Sequence, residues 1–224
     1  MNLKKMLAGV CLLLITNLQA WATPIEILTN GDFATGDLSS WTQSDPITPL
    51  EWGVTSAAPI GAYFLESSDG SFFASPWEEG PNPQTTTLFQ RVDLATLSAT
   101  LLGTFTFSAE AIYANDRITL GYELYDTNLN LLASQIVFTG LGGPSANNQS
   151  ISQTFSLVSD TRYISFIATG ELINGSYIDA GFDNASILME VRQASAVSSP
   201  HALMLFVLGM IGVASVNRIK KSKD

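Results

Sequence analysis

No lysine lies between Lys5 and Lys220, the only histidine is His201, and the only cysteine is Cys11. Each gap closes off chemistry. Residues 23 to 197 contain no thiol and no imidazole, so that stretch holds no Cys- or His-based nucleophile, no disulfide and no Cys/His zinc site. Cations are nearly as scarce: Arg91, Arg117, Arg162 and Arg192 stand against nineteen acidic residues there, a net charge of −15. A body of that sign repels phosphates, which disfavours nucleic acid as a partner. No repeat of fixed period is present, so a propeller or solenoid lacks its signature. The cluster Gly140-Leu141-Gly142-Gly143-Pro144 has the wrong spacing for a phosphate-binding loop and precedes no helical pattern.

The two ends of the chain carry the strongest signals. Lys4 and Lys5 precede an apolar run over residues 6 to 15, and Ala20-Trp21-Ala22 follows. That is the layout of a secretory signal peptide, with cleavage expected after Ala22. Cys11 lies inside the apolar run and would leave with it. At the other end residues 202 to 216 are uncharged, and Arg218, Lys220, Lys221 and Lys223 crowd in behind them. As a helix this segment reaches roughly 22 Å, short of the ~30 Å hydrocarbon core, so spanning needs bilayer thinning or snorkelling. Cations beyond an apolar segment place that end in the cytoplasm. The expected layout is a signal peptide at 1–22, an exported domain at 23–192, a linker at 193–201, a transmembrane helix at 202–217 and a basic cytoplasmic tail at 218–224.

Val197-Ser198-Ser199-Pro200, the apolar run spotted with Gly209 and Gly212, and the basic end resemble the PEP-CTERM sorting tails of Gram-negative bacteria. The motif is usually Val-Pro-Glu-Pro; here Val197 and Pro200 hold their places, and Ser198 and Ser199 replace Pro and Glu. The resemblance implies processing by an exosortase in the inner membrane and release to the cell surface or extracellular matrix. The alternative is a retained single-span anchor that faces the periplasm.

Within the exported part the hydrophobic period is two. Phe105, Phe107, Ala109 and Ala111 alternate with polar residues, as do Ile118, Leu120, Tyr122 and Leu124, and Ile164, Phe166 and Ala168 share a face. These are half-buried strands, and further strands are expected at 51–56, 61–66, 71–75, 85–93, 131–139, 150–158 and 176–190. Asp126-Thr127-Asn128-Leu129-Asn130 has the first half of a calcium loop but lacks its glycine and closing glutamate, so it is read as a hairpin turn. Several strands without a helical run predict an all-β fold, an antiparallel two-sheet sandwich, followed by the C-terminal hydrophobic helix.

Asn30-Gly31-Asp32-Phe33, with Trp41 closing the turn, resembles the opening of galactose-binding-like jelly-roll modules, and Gly181-Phe182-Asp183-Asn184-Ala185-Ser186-Ile187 is similar to their last strand. Carbohydrate-binding modules are among them. Asp183 shares strand parity with Ala185, Ile187 and Met189 and is therefore expected on the core side, where an ionised carboxylate is costly without a cation or several N–H donors. The resemblance implies a structural Ca²⁺ held by Asp183 with Asp32 and Asn30 of the opening turn. In this chain Ala34 stands where the family commonly has a glutamate ligand. The alternative is that Asp183 accepts backbone N–H bonds.

Trp77 lies in a Pro-rich loop that a strand core cannot easily claim, which makes it the candidate platform for a sugar ring. Carboxylate pairs for glycoside hydrolysis exist (Glu78/Glu79, Glu110/Asp116, Glu66/Asp69), but no spacing singles one out. The expected function is a noncatalytic surface or matrix module that associates with polysaccharide. A structural matrix or adhesion protein without a small ligand, and a glycoside-active enzyme, are the alternatives.

Overall fold

Alternation of apolar and polar residues builds the long strands. The computed structural model describes residues 23–44, 52–56, 58–60, 63–71, 73–76, 84–96, 104–143, 147–173, 175 and 177–190. All of them fall in one compact unit, Thr23–Val191. The expected signal peptide, Trp77, Val197, Pro200 and the apolar segment at 202–217 lie outside the described residues. The strands are β1 (Ile25–Glu26), β2 (Thr42–Ser44), β3 (Gly53–Thr55), β4 (Ala58–Ile60), β5 (Tyr63–Leu65), β6 (Phe73–Ser75), β7 (Gln84–Asp93), β8 (Thr104–Tyr113), β9 (Arg117–Tyr125), β10 (Leu131–Leu141), β11 (Asn147–Phe155), β12 (Tyr163–Leu172) and β13 (Ala180–Glu190).

They form two antiparallel sheets packed as a sandwich. One runs β11-β8-β13-β6-β3, with β1 added beside β13; the other runs β10-β9-β12-β7-β2. A separate β4–β5 hairpin completes the set. From β7 onward every connection changes sheet except the β9–β10 hairpin, the connectivity of a jelly roll. That hairpin turns at 126–130 as expected: Asp126 Oδ1 accepts from the Asn128 and Asn130 amides, each at 2.8 Å. Its carboxylate is spent on its own loop.

The inner faces match the period-two reading. Phe105, Phe107, Ala109 and Ala111 of β8, Ile118, Leu120, Tyr122 and Leu124 of β9, and Ile164, Phe166 and Ala168 of β12 are all buried. Aromatic rings run through the core in a chain: Trp52 meets Phe182, Phe182 meets Phe166, Phe166 stacks on Phe107 at 4.7 Å, Phe107 meets Tyr122, and Tyr122 stacks on Phe155 at 3.9 Å. Full burial of each large apolar side chain contributes ~1.5–3 kcal/mol, and ring pairing adds to it. A second, small apolar cluster, Leu65, Phe73, Ile112 and Ala114, is separate from this core. Ile112 has the opposite parity to Ala109 and Ala111 on β8, so this cluster covers the outer side of the first sheet.

Candidate functional site

The opening and closing segments meet as the family resemblance implied, and the contact is made by backbone and rings. The Ala185 amide donates to the Gly31 carbonyl at 2.9 Å, and the Ile27 amide donates to the Ile187 carbonyl at 3.1 Å. Trp41 Nε1 donates to the Asn30 carbonyl at 3.0 Å. Phe33 and Trp41 then pack on Phe182, with ring centroids 5.3 and 5.4 Å away. Residues 30–32 and 184–186, with Glu26 and Leu28, line an open cleft of 310 Å³ between the two segments.

Asp183 does not sit where parity placed it. A register shift between Asp183 and Ser186, with Asn184 at φ 51°, interrupts the alternation of β13. Such a bulge inserts a residue and re-aims its neighbours. Phe182 takes the inward position, and Asp183 pairs in register with Glu110 on the outer side of the sheet. It is nevertheless fully buried, because the 66–71 loop closes over it. Its carboxylate accepts from Ser67 Oγ at 2.7 Å, Ser71 Oγ at 2.8 Å, the Asn184 amide at 2.6 Å and Asn184 Nδ2 at 3.3 Å. Burial pushes its pKa up, and the serines and the Asn184 amide pull against that rise.

Asp183, Asp32 and Asn30, expected to hold a Ca²⁺ together, each have protein hydrogen-bond partners. Asp32 accepts from the Ala34 amide at 3.2 Å, and Asn30 Nδ2 donates to the Asp37 and Ser39 carbonyls. Among the described residues no group of three or more His, Cys, Asp or Glu side chains is placed to hold a metal.

A second buried carboxylate site lies at the far end of β8. Asp116 is fully buried and accepts from the Ile173 and Asp179 amides at 2.7 and 2.8 Å. The Asp179 carboxyl is pushed up to about 6, by burial first and then by the Asp116 charge. This cluster ties together the start of β9, the end of β12 and the approach to β13. Of the carboxylate pairs considered for hydrolysis, Glu78/Glu79 lies outside the described residues. Glu110 and Asp116 are each tied down by different partners: Glu110 accepts from Ser68 and Asn148. Asp69, of the third pair, accepts from the Ser71 amide, and Glu66 offers its backbone carbonyl to Asn148.

The arrangement best suited to hold a ligand lies on the outer face of the β10-β9-β12-β7-β2 sheet. Arg91 is exposed, and its guanidinium lies over the Tyr125 ring at 4.4 Å and near the Phe89 ring at 5.5 Å. Arg91 Nε donates to the buried Ser165 Oγ at 3.1 Å. Register brings these together: Arg91 of β7 stands beside Ser165 of β12, which stands beside Glu123 of β9. The Tyr125 hydroxyl donates to Glu123, and its pKa is raised by burial and then by that carboxylate. Among the described residues Arg117 and Arg162 form salt bridges, with Glu171 and Asp93, whereas Arg91 forms none. Four residues along β7 and β12, on the same face, the Thr87 and Thr169 hydroxyls sit 3.0 Å apart. The result is an aromatic and guanidinium surface with hydroxyls further along the same face, able to contact an apolar ring face and to donate N–H bonds from the guanidinium. Sequence reading singled out Trp77 instead. The available signal was that Arg91 is one of four cations in the domain and shares outward parity with Phe89 on β7.

No protein-family model matches the chain, and no curated protein does. Among solved structures it is similar to the enzymatically active domain of tailspike protein 4 of bacteriophage CBA120, with a TM-score of 0.50, 14% identity, and coverage of 73% of this chain and 21% of that one. The match therefore spans about a fifth of the phage protein, and it shows the fold alone. The chain is also similar to TmCBM61, solved with β-1,4-galactotriose (TM-score 0.49, 18% identity, 75% of this chain, 99% of that one). A third similar structure is the CBM22-1 xylan-binding domain from Paenibacillus barcinonensis Xyn10C (TM-score 0.47, 10% identity, 78% and 100%).

Proposed function

We propose that this chain is an exported, noncatalytic β-sandwich that associates with surface or matrix polysaccharide through the Arg91 face, and that its C-terminal tail is a PEP-CTERM-like sorting signal read by an exosortase. The observation that carries the binding reading is the Arg91 guanidinium set over the Tyr125 ring at 4.4 Å without a salt bridge among the described residues. Among the described residues no carboxylate lies within salt-bridge distance of Arg91, which leaves its charge available to an incoming ligand. Sugars present apolar ring faces and outward hydroxyls, which match an aromatic surface with N–H donors and with hydroxyls further along the same face. The export reading is supported by the basic, apolar and Ala-x-Ala order at residues 1–22 and by the apolar-then-basic order after Pro200.

Affinity electrophoresis of the protein in gels cast with diverse soluble polysaccharides tests the binding reading. At least one polysaccharide should retard the wild type, and Arg91→Ala and Tyr125→Ala should each lose about tenfold in affinity or more. No retardation across neutral and acidic glycans overturns it and leaves the matrix protein without a glycan ligand. The sorting reading is tested by mass spectrometry of the exported protein: a C-terminus cut near Pro200 supports it, and an intact Asp224 end overturns it.

A further inference from the structure

We propose that β11 is a self-association edge, through which two copies of this chain pair antiparallel, β11 to β11, about a two-fold axis. The strand ends its sheet, and over residues 148–155 no described strand pairs its outer side. It meets β8 through nine consecutive partners, Asn147↔Tyr113 to Phe155↔Phe105, with no register shift. It is therefore a long, regular edge. Folded proteins normally blunt such edges with lysine, proline, a bulge or short length. β11 has none of these: it reads Asn-Asn-Gln-Ser-Ile-Ser-Gln-Thr-Phe, and Asn147, Asn148, Gln149, Ser150, Ser152 and Thr154 are exposed. The other sheet ends differ. β10 carries two register shifts, and β2 and β3 have three residues each.

Charge identifies the partner as a second copy. The domain carries −15, yet residues 127 to 159 contain no charged residue at all. This neutral stretch includes all of β10 and β11, which end the two sheets on the same side of the sandwich. Two anionic bodies repel least when that side of each faces the other. Antiparallel pairing about a two-fold needs no second complementary surface, because each strand offers the same row of N–H and C=O groups. Asn, Gln, Ser and Thr side chains across such a pairing add hydrogen bonds of their own. The axis of an antiparallel pair is perpendicular to the sheet, so both copies lie with the same side up. The two Arg91 faces then point the same way, and a long polymer that engaged both would gain avidity; only this last consequence rests on the polysaccharide reading.

The test uses the full-length chain, expressed and exported, in a Cys11→Ala background. Single cysteines are placed in turn at each position from 147 to 155, at Leu132 and Ile136 on β10, and at Thr42 on β2, and the cells are treated with a mild thiol oxidant. Pairing about a two-fold brings a residue near the strand centre next to its own copy, while residues near the strand ends face a different residue. A covalent homodimer is expected from one or two adjacent central positions of β11, and monomer from the strand ends and from Thr42. Adding Ser152→Asp to the best central variant should lower the dimer yield by about tenfold, since like charges would then face each other. Monomer at all nine β11 positions overturns the proposal. So does crosslinking that peaks on β10, or a dimer yield that Ser152→Asp leaves unchanged.

Discussion

Asp183 and Glu110 stand opposite each other across the β13–β8 pairing, both buried, and one loop satisfies both carboxylates. Ser67 and Ser71 donate to Asp183, while the Ser68 amide and hydroxyl donate to Glu110 at 2.8 and 2.9 Å. Asn148 of β11 adds a bond to Glu110 at 2.9 Å and another to the Glu66 carbonyl at 2.8 Å. Two adjacent buried acids would be intolerable if left bare. Neutral donors from a Ser-Ser-Asp-Gly-Ser turn make them a clamp that holds the loop on the sheet.

Removing a serine should therefore weaken the fold through Asp183. Ser67→Ala and Ser71→Ala are each expected to cost ~1–3 kcal/mol at pH 7, the penalty for a buried carboxylate that loses a donor. Because these hydroxyls hold the carboxyl's pKa down, the cost should shrink toward pH 4, as Asp183 takes up a proton and needs fewer donors. Urea unfolding at both pH values checks this; an equal loss at pH 4 and pH 7 would contradict the clamp.

Asp179 should make the fold more stable in mild acid. Its carboxyl is raised from 3.8 to about 6 in the folded protein, so between those values the folded state holds a proton that the unfolded state has released. Its contribution is fully present below the unfolded value and is lost as pH rises through about 6. Acidification from pH 7 to pH 4 should thus gain ~1–3 kcal/mol from this group. Asp179→Asn should flatten the unfolding free energy across that window. If the variant keeps the wild-type slope, the effect belongs to other groups.

Gly31 is expected to admit no side chain. A Cβ there would lie 1.8 Å from the Ala185 carbonyl oxygen, a backbone atom that cannot swing aside. Gly31→Ala must separate the opening segment from β13 and should cost about 2 kcal/mol or more. Gly143, whose added Cβ would meet nothing within 4 Å, serves as the control: Gly143→Ala should leave the melting temperature nearly unchanged. Equal behaviour of the two variants would show that the close approach carries no energetic weight.

The legible part of this molecule was the part written in local alternation. Phe105 to Ala111, Ile118 to Leu124 and Ile164 to Ala168 each present one face to the core, and the pattern alone identified those faces. The short strands β1, β2 and β4 went unread, since two or three residues carry no period. The 147–155 strand was expected three residues too late, because Asn147, Asn148 and Gln149 look like loop in composition. Asp183 was read as inward because parity extrapolates through a bulge that only the β8 register reveals. Arg91 could be counted in the sequence, but its place over the ring of Tyr125, 34 positions away, depends on β12 lying between their strands.

By itself the sequence determined that the body is anionic, thiol-free and built of alternating strands, because charge, chemistry and the two-residue period are properties of the chain. Tertiary structure alone decided which carboxylates are buried together, which arginine lies over Tyr125 and which strands end the sheets. Those outcomes depend on the register between strands distant in sequence, which no local pattern specifies.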